Sequence, residues 1–195
     1  MRTLNDYYSG VVPIITRHGG VVNKFDGDAL MAFFGILPQR VPPQVSALQA
    51  SHAALEILEY VKGVSERRSS DWMPALDVGI GVSTGPVIAG GLGTSDRLQY
   101  TVIGDTVNIS QRIQQITSEP ASGKIIISED TYHYLTPAHG HLEFGRQGQA
   151  QLRGKRRDVT VHELTGRWSR LVDCTDIQEI GRTQYAIGDQ EKKDS

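Results

Sequence analysis

Two apolar runs separated by Asp26-Gly27 constrain this chain more than any other feature. Val21-Val22-Asn23-Lys24-Phe25 stands on one side and Ala29-Leu30-Met31-Ala32-Phe33-Phe34 on the other. Asp-Gly favours a two-residue hairpin turn, because glycine reaches positive φ without steric cost. Such a hairpin is expected to put Asp28 at the start of its second strand and Lys24 near the end of its first. A carboxylate and a lysine held on rigid strands suit a metal-assisted phosphate or nucleotide site. By themselves they equally fit the solvated tip of an ordinary hairpin.

Around this hairpin, strands and helices alternate. Leu4, Tyr7, Tyr8, Val11, Val12 and Ile15 recur at helical spacing and predict a helix over 4–16. Pro38, Pro42 and Pro43 mark a loop, and Ala47, Ala50, Ala54, Leu55, Leu58 and Val61 form the buried stripe of a second helix over about 44–67. The segment 76–83 alternates as a strand does, and 86–89 is expected to pair with it. A glycine-rich loop and a short strand at 100–103 precede a helix over 105–116 that Asp105 or Thr106 is expected to cap. Strands at 124–127 and 159–164, with a short helix capped by Ser128 between them, complete the pattern. Together these predict an α+β sandwich, with helices covering a largely antiparallel sheet.

Composition excludes several classes. The net charge of −2 gives no reason to expect nucleic acid or an anionic membrane as a partner. One cysteine, Cys174, rules out an internal disulfide or a cysteine-based zinc cluster and agrees with a reducing cytoplasm. No apolar run approaches the length of a membrane span. His52, His133, His139 and His141 lack the spacing of metal ligands.

A second segment carries chemistry. In Tyr100-Thr101-Val102-Ile103-Gly104-Asp105-Thr106-Val107-Asn108-Ile109-Ser110-Gln111-Arg112, the helix places Asn108 and Arg112 four residues apart on one face. An amide beside a guanidinium suits a sugar and a transferring phosphoryl group: Asn orients the ribose, and Arg neutralises growing charge. Alone, such a pair is ordinarily a surface pair.

Four stretches taken together resemble the catalytic domain of the class III nucleotidyl cyclases, the family of adenylate and guanylate cyclases. They are His18-Gly19-Gly20 through Gly35, Gly79 through Gly90, Tyr100 through Arg112, and Leu152-Arg153-Gly154-Lys155 with Val159 through Leu164. They run in the family's order over about residues 4–165. The resemblance implies a ferredoxin-like palm with a β-α-β-β-α-β core, and assigns a catalytic domain to 1–165 and a polar C-terminal extension to 166–195.

The resemblance also implies roles. Asp28 matches the second of two aspartates that hold a pair of Mg²⁺ or Mn²⁺ ions over the triphosphate. Lys24 and Thr101 match the pair that reads the purine. In adenylate cyclases the lysine donates towards a ring nitrogen and an Asp or Thr accepts from the exocyclic amine, whereas guanylate cyclases typically use a Glu and a Cys or other small residue. Lys-Thr therefore resembles the adenine-selective bacterial type, with ATP as substrate. Asn108 and Arg112 match the ribose-orienting and transition-state-stabilising residues. Arg153 matches the residue that holds the terminal phosphates, with Lys155 as a nearby substitute. The family builds its site across a homodimer interface, Asp28 coming from one protomer and Asn108 and Arg112 from the other. An upstream regulatory domain and a cytoplasmic location are expected.

One departure bears on activity. The family's first metal aspartate lies on a first strand that should precede residue 1, so the chain is expected to lack a central strand and half of the metal site, and to turn over poorly. The tail segment 170–177 ends in Asp-Ile but lacks the Gly-aromatic that should follow. Three alternatives to an adenylate cyclase domain follow: a non-catalytic cyclase-homology module that binds nucleotide or a partner, a guanylate cyclase, and a diguanylate cyclase. The last would need a Gly-Gly-acidic-acidic-Phe turn, which Phe25-Asp26-Gly27-Asp28 is not.

Overall fold

The computed structural model describes residues 2–70, 74–94, 97–119, 122–136, 141–150 and 158–167. The tail beyond 167, Arg153 and Lys155 lie outside them. The elements are α1 (Arg2–Arg17), β1 (Gly20–Asp26), β2 (Ala29–Phe34), α2 (Pro43–Ser70), β3 (Ile80–Val82), β4 (Ile88–Thr94), β5 (Arg97–Ile103), α3 (Asp105–Ile116), β6 (Ile125–Ser128), α4 (Glu129–Tyr134), β7 (Leu142–Ala150) and β8 (Val159–Arg167).

The apolar stripe of α1 meets that of α2 directly. Val11, Ile14 and Ile15 pack on Ala53, Ile57 and Val61, and the cluster takes in Leu30, Ala32 and Phe34 of β2 together with Ile80 of β3. Gly10 permits this approach, since a Cβ there would fall 2.0 Å from the Tyr60 ring. Proline at the first position of α2 costs nothing, because the N–H it lacks would have no partner in the helix.

β6 is buried on both faces. Ile125 and Ile127 join Val45, Leu48 and Leu55 of α2, with Leu135, Leu142 and Leu164 closing that side. Ile126 points the other way, to Ile113 of α3, with Ala150 and Val161. This period-2 split explains why the strand is a continuous run of isoleucine. α3 comes close to β3 because Gly81 has no side chain: a Cβ there would stand 2.3 Å from the Ser110 carbonyl oxygen.

The strands form three sheets: β1-β2, β3-β6-β8-β7 and β4-β5. β3 pairs with β6 in parallel, and every other pairing is antiparallel. The single sheet read from the sequence is thus divided. β2 and β3 flank the division and share one apolar cluster without pairing to each other. The partner expected for β3 also differs. Residues 88–94 pair with β5, and the glycine-rich stretch read as a loop is strand on both sides of a hairpin.

Candidate functional site

The β1–β2 turn sits one residue later than the sequence implied. Asp26 pairs with Ala29, so Gly27 and Asp28 are the two turn residues and Asp28 is not yet in β2. Gly27 adopts φ 64°, the conformation that makes glycine the natural residue there. The Tyr8 hydroxyl on α1 donates to the Gly27 carbonyl at 3.0 Å and lies 3.4 Å from the Ala29 carbonyl. Its ring lies 4.5 Å from Phe25. The turn carrying Asp28 is therefore held from both sides. Burial first, then the Asp28 carboxylate, pushes the Tyr8 phenol above its ordinary pKa.

Lys24 is exposed on β1 opposite Met31, and the ladder shifts register between Val22 and Lys24. Asn23 is the extra residue of that bulge, a device that re-aims a side chain. Its Nδ2 donates to the Tyr100 carbonyl at 2.9 Å, and its Oδ1 accepts from Thr101 Oγ1 at 3.1 Å. The strands bearing Lys24 and Thr101 are thus tied together within one chain. Thr101 itself sits opposite Gly90 in the β4–β5 ladder.

α3 begins at Gly104, with no side-chain cap. Asp105 and Thr106 do not take that role: the Thr106 hydroxyl donates instead to the Pro86 carbonyl at 3.0 Å, fixing the start of α3 against the segment before β4. Ser110 Oγ donates to the Gly81 carbonyl at 2.9 Å, holding the same helix on β3. Asn108 is exposed and Arg112 half-buried, one turn apart. Among the described residues, Asp28 has no hydrogen bond or ion pair to either.

Whether these residues suit a divalent ion is answered by the donor set. Among the described residues, no group of three or more His, Cys, Asp and Glu is placed to hold a metal ion. Asp28, with Asp26 across the turn, is too sparse a set for Mg²⁺, which dehydrates reluctantly. The described residues therefore do not make a two-ion site on their own.

Sequence reading missed Asn23 and Tyr8. Asparagine inside an apolar strand is unfavourable unless its amide has partners, and that was the available signal for Asn23. Tyr8 gave none, since it falls on the apolar stripe of its helix. A further polar cluster lies where the end of α1 meets α2. His18 Nε2 bonds Glu56 at 2.7 Å, and its ring stacks on that of His52 with centroids 6.3 Å apart. His52 is 1% exposed, its Nδ1 has no hydrogen-bond partner among the described residues, and burial first, then Arg167, His18 and His141, push its pKa down to about 4.

The fold is that of a nucleotide-cyclase type of domain. The family described as the adenylate and guanylate cyclase catalytic domain matches residues 1–166, and the chain belongs to it. It is 40% identical over 129 residues to an uncharacterized protein of Mycobacterium tuberculosis, covering 66% of this chain and 21% of that protein. The structure is similar to that of the guanylyl cyclase Cya2, with TM-score 0.76, 27% identity and coverage of 88% and 82% of the two chains. It shares its fold with the adenylyl cyclase CyaB from P. aeruginosa, with TM-score 0.73, 24% identity and coverage of 87% and 82%. The chain spans 23% or less of the length of the first curated relatives it matches. No helix among the described residues is long and apolar enough to cross a membrane.

Proposed function

We propose that this chain is the catalytic domain of an adenylate cyclase, converting ATP to 3′,5′-cyclic AMP and pyrophosphate. The ribose 3′-oxygen loses its proton and attacks the α-phosphorus, and the bond from that phosphorus to the bridging oxygen of the β-phosphate breaks. Asn108 orients the ribose. Arg112 offsets the charge that builds on the phosphoryl oxygens, the kind of fixed countercharge that contributes most to such reactions. Arg153, with Lys155, holds the terminal phosphates. Asp28 would offer one carboxylate to a Mg²⁺ or Mn²⁺ ion, whose chemistry when bound would be to draw charge off the phosphates. The domain works as a homodimer, with β4–β5 as its contact surface, since Ile88 and Leu98 there are 77% and 71% exposed.

The observation supporting adenine over guanine is the adjacency of the Lys24 strand to Thr101 through Asn23. The test is turnover of ATP and GTP with Mg²⁺ or Mn²⁺, in the native chain and in Lys24→Glu combined with Thr101→Cys. The double variant should lose more than about tenfold in ATP turnover and raise the GTP/ATP ratio, because the polarity of the pocket is inverted. An unchanged ratio would remove both residues from base recognition.

A second reading, a module that binds nucleotide without turning it over, is favoured by the sparse carboxylate set among the described residues. It requires saturable ATP binding and background turnover even in Mn²⁺.

A further inference from the structure

We propose that Asn23 is a positioning residue that sets the polarity of the Thr101 hydroxyl, and so helps select a 6-amino purine over a 6-oxo purine. The inference rests on the reading of Lys24 and Thr101 as the purine-facing pair.

The argument is one of proton inventory. The Tyr100 carbonyl accepts and cannot donate, so the Asn23 atom 2.9 Å from it is the amide nitrogen. That fixes the other end of the amide as Oδ1, which lies 3.1 Å from Thr101 Oγ1. Oδ1 cannot donate either, so the single hydroxyl proton of Thr101 is committed to Asn23. What Thr101 then offers a third partner is a lone pair. The exocyclic amine of adenine donates to such a group. The carbonyl at the same position of guanine presents a second lone pair to it, and an unsatisfied pair of acceptors is costly away from water.

The bulge explains why Asn23 can do this. As the extra residue between Val22 and Lys24 it faces no ladder partner on β2, which leaves its amide available to the neighbouring ribbon. The Gln99 side chain adds a contact from Nε2 to the Asn23 carbonyl at 3.4 Å. A strap that merely joined β1 to β5 would need these bonds but would have no bearing on which base binds. The distinction between the two roles is measurable.

The experiment measures dissociation constants for 3′-deoxy-ATP and 3′-deoxy-GTP, which lack the nucleophile and cannot cyclise, on the full chain in Mn²⁺. Melting temperature is followed in parallel. Asn23→Leu, of similar volume, frees the Thr101 proton and should cut the ATP/GTP preference about tenfold. Asn23→Asp still accepts from Thr101 but sets a carboxylate against the Tyr100 carbonyl. It should melt lower and yet keep the preference within about twofold. Thr101→Val should abolish the preference, and adding Asn23→Leu to it should change the ratio no further. An unchanged ratio in Asn23→Leu, with Thr101→Val collapsed, overturns the role of Asn23 and leaves the purine reading standing. An unchanged ratio in Thr101→Val overturns the purine reading itself and this inference with it. If Asn23→Leu does not fold, Asn23→Ala takes its place: a preference cut severalfold supports the proposal, and an unchanged one overturns it.

Discussion

The four-stranded sheet and the two hairpins are built on opposite terms. In β6, Ile125 and Ile127 are fully buried and Ile126 nearly so, covered by α2 on one face and α3 on the other. In β4–β5, the ribbon that carries Thr101, Ile88, Leu92 and Leu98 are more than half exposed. Packing is densest in that sheet, while Lys24 and Asp28 stand exposed at the far end of the β1–β2 hairpin and Thr101 on a ribbon with little cover. Function-bearing segments are commonly drawn from the less protected parts of a fold. The proposed dimer would cover the exposed apolar residues of β4–β5.

The sharpest way to break this division is to remove chemistry without touching the sheet. Asp28→Ala and Arg112→Ala should each bring cyclase turnover to background, a loss of at least about 100-fold, with the melting temperature essentially unchanged. Mixing the two variants should restore part of the activity, since one interfacial site of a mixed dimer carries both residues. No recovery in mixtures shown to exchange subunits would place the whole site within one protomer.

The converse variant removes packing without touching chemistry. Ile125→Ala opens a cavity where β6 meets α2 and should destabilise the fold by about 2–5 kcal/mol in chemical denaturation. Its ATP/GTP preference should stay as in the native chain below the new transition. A shifted preference would mean that the sheet and the hairpins are coupled after all.

Legibility in the sequence follows the same division. α3 is readable to its end residues, because Ile109, Ile113 and Ile116 keep helical spacing against a buried sheet. Ile88 and Ala89 of β4 fall in a segment that reads as strand, but the rest reads as a loop because Gly90, Gly91 and Gly93 carry no apolar alternation, and its strand character comes from its pairing with β5. β7 went unread for a related reason: Leu142 and Ala150 are buried, but the residues between them are mostly exposed. The partner of β3 was misassigned because periodicity reports a strand's faces and not its neighbour, which here lies beyond α3. The Asp28 turn was displaced by one residue, since Asp-Gly and Gly-Asp both supply the glycine the hairpin needs. The roles of Lys24, Thr101, Asn108 and Arg112 came from the family resemblance, and no periodicity would have supplied them.

The polar cluster at the end of α1 tests the protected half by pH. His52 titrates near 6.5 when unfolded and at about 4 in the fold. Between those values the unfolded chain binds the extra proton, so this contribution is fully present above pH 6.5 and is lost as the pH falls toward 4. It amounts to at most about 3 kcal/mol. Denaturation at pH 7 and pH 4.5 should show a smaller acid loss in His52→Gln than in the native chain. Equal losses would mean that other groups, with the Glu56 carboxyl beside His18 and Arg17 first among them, dominate the acid limb.

The smallest effect expected is also the most local. Tyr8→Phe keeps the ring on Phe25 and removes only the hydroxyl that holds the Gly27 carbonyl. At such a site one neutral hydrogen bond is worth about 1 kcal/mol or less, so the global melting transition should barely move. The consequence belongs to the turn. With its backbone released on the α1 side, Asp28 samples more positions, and a carboxylate misplaced by about 1 Å is enough to slow a reaction that depends on alignment. Turnover should therefore fall severalfold while KM for ATP stays unchanged, because the base and ribose contacts lie elsewhere. A rise in KM with unchanged kcat would instead make Tyr8 part of nucleotide binding and would move α1 from the supporting half of the molecule to the working one.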